Sequence, residues 1–277
     1  MERHYRRLDG GRLWHTDCPV ADYGRTRLDA MGVLRNMKTR NIAILISALL
    51  PFGLAQAAPS SNVAWTVETH SLVRKGDAKI GSEIELVETE DVNACADCHG
   101  EKGAEPDREK HPTLAGQLAT YTFKQLRDYK DGSRKDRKMQ EAVKRLTDEQ
   151  LAALAVWYAK QPIPKVEVDE DETVSEDTIR LVFRGDKTRL IQPCASCHGA
   201  RGEGAIIDVS WIVGQNVQYF VNTMNDYAKD NRSNDIYSRM RIIAKQLTRD
   251  EINELAVYYA RLGGKPGGGG LFQAFTN

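Results

Sequence analysis

The chain contains an internal repeat, and this repeat constrains its fold more than any other feature. The hexapeptide Cys-Ala-Asp-Cys-His-Gly at 95–100 returns as Cys-Ala-Ser-Cys-His-Gly at 194–199, 99 residues later. Further matched residues follow in the same order at offsets of 98 to 101. They are Gly116 with Gly214, Gln117 with Gln215, Tyr121 with Tyr219, Tyr129 with Tyr227, Arg134 with Arg232, Met139 with Met240 and Leu146 with Leu247. Tandem duplication explains this agreement, so we predict two domains of one fold.

Both copies have a helical pattern. Thr147 is followed three residues later by Gln150, which is the capping box that begins a helix, and apolar residues then recur at helical spacing. Thr248 and Glu251 repeat this pattern in the second copy. Another amphipathic helix is predicted over 118–129, and Gly263-Gly264 is expected to end the last helix. The sequence shows no convincing alternating strand, so the predicted fold class is all-α.

A polar segment separates the two copies. Residues 162–164 contain two prolines, and 167–177 contain seven acidic residues. Such a stretch cannot bury much apolar surface and is typical of a linker. We therefore predict a first domain over 59–161, a linker over 162–177, and a second domain over 178–277 that ends in a Gly-rich tail.

The region before the first domain has the pattern of a secretory signal. Lys38 and Arg40 precede a short apolar run at 42–54, and Ala-Gln-Ala at 55–57 is typical of a cleavage site. We expect residues 37–57 to be a signal peptide that is removed on export to the periplasm. The alternative is an uncleaved N-terminal anchor.

Residues 1–36 do not fit this scheme, since they are polar, Arg-rich and precede a complete signal. We interpret Met37 as the true start of the protein and the segment before it as a mis-assigned upstream region. Cys18 lies in that segment. The other four cysteines all belong to the two repeated motifs, so none is left for a disulfide.

Each copy carries a Cys-x-x-Cys-His motif. Two thiols at this spacing add to the two vinyl groups of one haem, and the adjacent histidine then lies under the iron. A four-cysteine zinc site is the alternative, but it explains neither the histidine after each second cysteine nor one pair per repeat. A thioredoxin-like redox pair would need a preceding strand. We predict two covalently bound haem c groups, attached through Cys95, Cys98, Cys194 and Cys197, with His99 and His198 as axial ligands of the iron.

One methionine in each copy is the candidate for the second axial position. Met139 follows a strongly polar run and so is not part of an apolar stripe. Met240 stands seven residues before the second Leu-Thr pair, as Met139 does before the first, whereas Met224 aligns with the core position Leu126. We assign Met139 and Met240 as ligands and Met224 to the core.

Two histidines are alternative axial ligands. His70 lies outside the repeat, and His111 has no counterpart in the second copy, where Val209 aligns. The thioether of a His/Met pair favours ferrous iron, raises the reduction potential and fills the sixth position. This ligation favours electron transfer over catalysis by the chain itself. A peroxidase-like enzyme, by contrast, would need an open position on one iron.

The ordered set of motifs resembles the dihaem cytochrome c4 family over about residues 76–262. The matching features include Gly76-Asp77-Ala78, both Cys-x-x-Cys-His motifs and the run Pro-Thr-Leu-Ala-Gly-Gln at 112–117. The resemblance implies two tandem class I cytochrome c domains. It also implies electron shuttling between redox complexes, such as a quinol-oxidising complex and a terminal oxidase. The alternative is a cytochrome subunit of a periplasmic dehydrogenase or sulfur-oxidising complex.

Three departures from that family indicate that the two sites differ. The family's proline after the motif, whose carbonyl is expected to hold the axial histidine, matches Pro112 but is replaced by Ser210 in the second copy. Relative to the first copy, three residues are inserted before Met240, and relative to the family we interpret 84–91 as an insertion before the first motif. We therefore predict unequal haem potentials.

Charge limits the partners. The chain has 39 basic and 39 acidic residues, which argues against nucleic acid as the main partner. It contains no run of 18 apolar residues, so no ordinary membrane span is encoded. Redox proteins are the expected partners, and association with a membrane surface stays open.

Overall fold

The computed structural model describes residue 61 and residues 65–90, 92–104, 111–205 and 207–263. The predicted signal peptide at 37–57, the segment 1–36 with Cys18, and the Gly-rich tail lie outside the described residues.

The described residues form short α-helices joined by loops, with two single turns of 3-10 helix. The first half contains α1 (Val67–Arg74), α2 (Ala78–Glu85), α3 (Cys95–His99), α4 (Ala119–Asp131), α5 (Arg137–Val143) and α6 (Asp148–Ala159). The second half contains α7 (Glu176–Arg184), α8 (Cys194–His198), α9 (Val217–Ala228), α10 (Arg239–Ala244) and α11 (Arg249–Ala260). In the part of the chain that the structure describes, the only β-type pairing is three isolated bridges, so no sheet forms among those residues. The all-α prediction is confirmed.

The capping boxes begin the helices that the sequence predicts. Thr147 Oγ1 accepts a hydrogen bond from the Gln150 amide, and the Gln150 side chain accepts one from the Thr147 amide at 2.8 Å. Thr248 and Glu251 make the same reciprocal pair at the start of α11. Each box satisfies two backbone donors that the first turn of a helix leaves without partners. Helix α11 ends at Ala260, three residues before the glycines that were expected to end it.

Helix α6 is the centre of the first half, and α1, α2 and α4 pack around it. Leu151 and Ala155 are fully buried in this core, together with Phe123 of α4. The approach of α2 depends on a glycine, because a Cβ atom at Gly81 would lie 2.3 Å from the carbonyl oxygen of Ala153. Close backbone contact at this point brings α2 against the helix that supports the first motif.

In the second half, α9 and α11 form the corresponding pair of packed helices. Met224 and Ile252 are buried in one core cluster, and Val182 and Tyr259 in another beside the second motif. The same sequence pattern thus produces the same pair of packed helices twice, α4 with α6 and α9 with α11. In the second half, one core cluster includes Cys194 and Ala195 of the motif helix.

The described residues of both halves belong to one compact unit, and the predicted linker between the halves has contacts with both. Ile163 packs against Gly116 and Gly214, where an added Cβ would lie within 2.7 Å of its side chain. Arg261 donates hydrogen bonds to the carbonyls of Asp169 and Glu172. Helix α7 begins at Glu176, inside the segment predicted as linker. The start of this segment therefore packs against matched glycines of the two repeats.

Among the described residues, no helix combines the length and apolar character needed to cross a membrane.

Candidate haem sites

Each Cys-x-x-Cys-His motif forms a single helical turn, α3 or α8. In a helix, positions i, i+3 and i+4 lie on one face, so the two thiols and the imidazole of a motif are neighbours. His99 is buried, and Cys95, Cys98 and Cys194 are half-buried, while Cys197 is exposed. The turn can therefore present two sulfur atoms and one nitrogen to a single planar group.

The histidine of each motif donates its Nδ1 proton to a backbone carbonyl of the loop that follows. The distance is 3.1 Å from His99 to the Pro112 oxygen and 2.9 Å from His198 to the Ser210 oxygen. A carbonyl only accepts, so Nδ1 carries the proton and Nε2 keeps its lone pair for a metal. Burial lowers the pKa of His198, which keeps that ring neutral and able to ligate.

The change from Pro112 to Ser210 does not remove this acceptor. The bond is made by a backbone carbonyl, which every residue has, and its length is similar in both copies. The departure from the family pattern at Ser210 therefore preserves the orientation of His198.

The cysteines do not form the alternative zinc site. Among the described residues, which include all four motif cysteines, no three His, Cys, Asp or Glu side chains converge as metal ligands would. Burial raises the pKa of the Cys95 and Cys194 thiols to about 11, so both are neutral thiols in this structure. Each pair of cysteines keeps its own adjacent histidine on one helical turn, which fits the attachment of one haem per motif.

Buried donors without partners lie beside the motifs. The hydroxyls of Tyr158 and Tyr259, matched by the repeat, make no hydrogen bond of standard length and angle within the described part of the chain, although Glu85 lies near the first of them. Each lies near the first cysteine of its motif, since the Cys95 and Cys194 thiols are among the groups that raise the pKa of these tyrosines. Buried polar groups are normally satisfied, so these orphans fit a bound group that carries acceptors.

Two arginines at the contact between the halves fit the acidic side chains of a haem. Arg134 stacks over Tyr129 at 4.6 Å, and Arg232 stacks over Tyr227 at 4.7 Å. Each guanidinium also donates across the interface to a tyrosine of the other half, Arg134 to Tyr219 at 3.0 Å and Arg232 to Tyr121 at 2.9 Å. Neither arginine forms an ion pair with another described residue.

The electrostatics of this contact also favour an anion. Burial opposes ionisation of Tyr219, but the two guanidiniums outweigh it and lower the pKa of Tyr219 to about 7. Buried cations are rarely left without a counter-charge. The residues present thus fit haem: cysteines to attach it, a neutral imidazole to ligate it, and two arginines to bind its carboxylates.

The methionines occupy matched positions in the two halves. Met139 lies in α5, where the Asp136 side chain accepts a hydrogen bond from its amide at 2.9 Å, and Met240 lies in α10. Both are half-buried and pack against the core cluster of their own half. Met224 is 5% exposed inside the core of the second half.

The three-residue insertion before Met240 is accommodated in a 3-10 turn, where Tyr237 and Ser238 have φ near +58°. The alternative ligand His70 packs on Trp65, with 5.0 Å between ring centroids. His111 lies closer to a motif, since its ring is 5.7 Å from that of His99.

Sequence reasoning did not assign roles to the polar residues at the contact between the halves. Gln117, Tyr121 and Arg134 were matched to their counterparts only as markers of the repeat. A usable signal was present, because all three pairs share the offset of 98 residues although none belongs to the Cys-x-x-Cys-His motif. Polar residues that a duplication keeps in register indicate a shared role.

Comparison with known proteins agrees with this geometry. The Cytochrome c family model matches residues 89–159. A thiosulfate dehydrogenase electron acceptor from Stutzerimonas stutzeri (strain A1501) is 34% identical over 176 residues, which are 63% of this chain and 82% of that protein. A cytochrome c4 from Azotobacter vinelandii is 31% identical over 178 residues, 59% of this chain and 82% of the relative. The crystal structure of reduced recombinant cytochrome c4 from Pseudomonas stutzeri has a TM-score of 0.60 and 26% identity, and the match covers 67% of this chain and 98% of that one.

Similarity over four fifths of each relative, the helical fold and two haem-attachment motifs lead to one conclusion. The prediction of covalently bound haem c is confirmed, and the two motifs fit two haems. The prediction that the chain carries electrons without substrate turnover of its own is confirmed as well. The chain belongs to the dihaem cytochrome c4-like family, with two tandem class I cytochrome c domains.

Proposed function

We propose that the protein carries electrons in the periplasm through two His/Met-ligated haems. His99 and Met139 are the axial ligands in the first domain, and His198 and Met240 are those in the second. The observation that carries this proposal is the hydrogen bond from Nδ1 of each motif histidine to a loop carbonyl, which leaves Nε2 for the iron. When bound, the haem supplies a one-electron redox change at the iron.

The chain's own residues orient and enclose that group. The motif cysteines attach it, and the helices around α6 and α11 supply the buried apolar residues that exclude water. A low-polarity surrounding and fixed ligands limit solvent access and tune the potential. With a methionine in the sixth position, no site is left for a substrate.

A spectroscopic redox titration of the haem-loaded protein tests this assignment. We expect two resolved one-electron steps, because the two sites differ around their ligands. His111 stands beside His99 without a counterpart in the second domain. The turn before Met240 contains two non-glycine residues at positive φ. A titration that fits a single potential for both haems would refute the predicted inequality.

Export to the periplasm rests on the predicted signal peptide at 37–57 and on the c-type haem sites. Sequencing the N-terminus of the protein purified from its native host is the direct test. We expect the mature chain to begin after Ala57 or one residue later. A chain that retains the apolar run 42–54 would contradict cleavage.

A second function is favoured by one comparison. The relative from Stutzerimonas stutzeri is named as an electron acceptor of thiosulfate dehydrogenase, so this chain can serve as the cytochrome partner of a periplasmic dehydrogenase or sulfur-oxidising enzyme. The free carrier, exchanging electrons with a quinol-oxidising complex or a terminal oxidase, is the main proposal. Stable copurification with a dehydrogenase subunit would favour the second function, and purification as a lone monomer would favour the first.

A further inference from the structure

One peptide group connects the motif histidine of the first domain to a glutamine of the second. His99 Nδ1 donates to the Pro112 carbonyl oxygen at 3.1 Å. The N–H of that same peptide group belongs to Thr113, and it donates to Oε1 of Gln215 at 2.8 Å. Gln215 lies just before helix α9 of the second domain. A chain of two hydrogen bonds therefore runs from a candidate iron ligand across the domain interface.

The second domain makes the same connection in the opposite direction. His198 Nδ1 donates to the Ser210 carbonyl oxygen at 2.9 Å, and the Trp211 N–H of that peptide group donates to Oε1 of Gln117 at 2.9 Å. Gln117 and Trp211 are both buried. Since Gln117 and Gln215 are matched by the repeat, the arrangement is reciprocal.

Both glutamine amides are held in a single orientation. Oε1 of each accepts a second hydrogen bond from the next backbone N–H, and Nε2 donates to the carbonyl of the opposite residue. These distances are 3.0 and 2.9 Å for Gln117 and 2.9 and 3.0 Å for Gln215. A flipped amide would set its NH2 group against two N–H donors. Ile163 packs on the glycine that precedes each glutamine and supports both.

Hydrogen bonds in such a chain polarise one another. A peptide whose N–H is bound carries more negative charge on its carbonyl oxygen, so it accepts more strongly from the histidine Nδ1–H. The imidazole then donates more charge to a metal through Nε2, as outer partners of metal-bound histidines do. Greater basicity of the ligand stabilises ferric iron and lowers the reduction potential.

We propose that Gln215 is a positioning residue for His99 and Gln117 for His198, so that each domain helps to set the potential of the other domain's haem. This inference rests on the axial role of the two histidines proposed above. It makes the domain interface part of each redox site. It also explains why the Gly-Gln pair occurs in both copies.

The test replaces each glutamine separately by methionine, which has a similar length and no amide. Gln215→Met is expected to raise the potential of the first domain's haem, and Gln117→Met that of the second. We expect each variant to change the equilibrium between ferric and ferrous iron by about threefold. This is less than the effect of losing a partner that is bonded directly to the axial histidine. Threefold corresponds to about 28 mV at 59 mV per tenfold for one electron. NMR during a redox titration resolves the two haems, because each oxidised iron shifts its own surrounding resonances.

Thr120→Val is the matched control. It removes the interdomain hydrogen bond from the Ile207 amide to Thr120 Oγ1, 3.1 Å long, without touching either glutamine. We expect both potentials to stay at their wild-type values in this variant. The crossed pattern, in which each glutamine affects only the opposite domain's haem, is the result that supports the proposal. Equal shifts of both haems, or of the haem in the same domain, would overturn it.

Failure of the axial assignment is separable from failure of this proposal. In wild-type protein with labelled histidine, the ring nitrogens of His99 and His198 should be strongly shifted in the ferric state. If these resonances were not shifted, the assignment of His99 and His198 as axial ligands would be wrong. If they were shifted but both glutamine variants kept the wild-type potentials, only the proposed role of the glutamines would be overturned. If a methionine variant does not fold, Gln215→Asn and Gln117→Asn shorten the reach and keep the amide. Faster hydrogen exchange of the Thr113 or Trp211 amide with solvent would show that the hydrogen bond to the side chain is lost. An unchanged haem potential in that variant would then also overturn the proposal.

Discussion

Met139→Ala is expected to lower the potential of the first domain's haem by a sizeable part of the roughly 0.8 V range that axial ligation spans. The thioether sulfur favours ferrous iron, so water or a nitrogen ligand in its place favours ferric iron. Met139 is half-buried at the start of α5, so its truncation removes little of the core around Phe123 and Leu151. A redox titration should show one step displaced and the other unchanged.

The ferric spectrum gives an independent measure. The absorption band at the red end of the visible spectrum, which Met–Fe(III) ligation produces, should fall to about half in Met139→Ala because one of two such sites is lost. Met240→Ala should remove the other half. Met224→Leu is the matched control, a volume-conserving change in the buried core that costs less than about 1.5 kcal/mol and leaves the band intact. A band unchanged from that of the wild type would show that Met139 does not contribute to it and that another residue, such as the nearby His111, is the ligand of the first haem.

Local sequence signals were sufficient to place the first residues of the helices but not the last ones. Thr147 with Gln150 and Thr248 with Glu251 are complete within four residues, so both helix starts were predicted correctly. The end of α11 lies earlier than predicted because the amides of Leu262 and Gly263 donate to carbonyls three residues back, so the last turn is 3-10 in type and not α-helical. The last turn of a helix often tightens in this way, so a glycine alone does not fix the last α-helical residue.

In the candidate sites, the residues of one helical turn could be predicted from the sequence, whereas the contacts between the two domains could not. Two cysteines and a histidine within five residues lie on one helical turn by geometry alone, so the sequence was enough to find them. The carbonyl partner of His198 could not be judged from side-chain identity, because Ser210 supplies it from the backbone as Pro112 does. The crossed contacts of Gln117 and Arg134 depend on which faces of the two domains meet. A repeat specifies each domain twice but does not specify that contact.

Asp128→Ala is expected to lower the free energy of unfolding by about 3–5 kcal/mol, the cost of breaking a buried ion pair. The Asp128 carboxylate is fully buried and accepts from Lys124 Nζ at 2.7 Å and from Asn234 Nδ2 at 2.6 Å. Lys124 Nζ also donates to the Asn234 carbonyl at 2.7 Å. Asn234 belongs to the second domain, so removal of Asp128 leaves a buried ammonium at the interface and weakens the contact between the domains.

Urea unfolding followed by circular dichroism measures this loss. Glu167→Ala is the control, since its pair with Lys165 is fully on the surface and should be worth at most about 1 kcal/mol. The double variant Lys124→Met with Asp128→Leu should recover only part of the stability. It removes the lone buried charge, but the Asn234 carbonyl loses the hydrogen bond that Lys124 donates. If Asp128→Ala were no more destabilising than Glu167→Ala, the buried pair could not be what holds the interface. A large loss with two separate unfolding transitions would instead show that this pair makes the two cytochrome domains unfold as one unit.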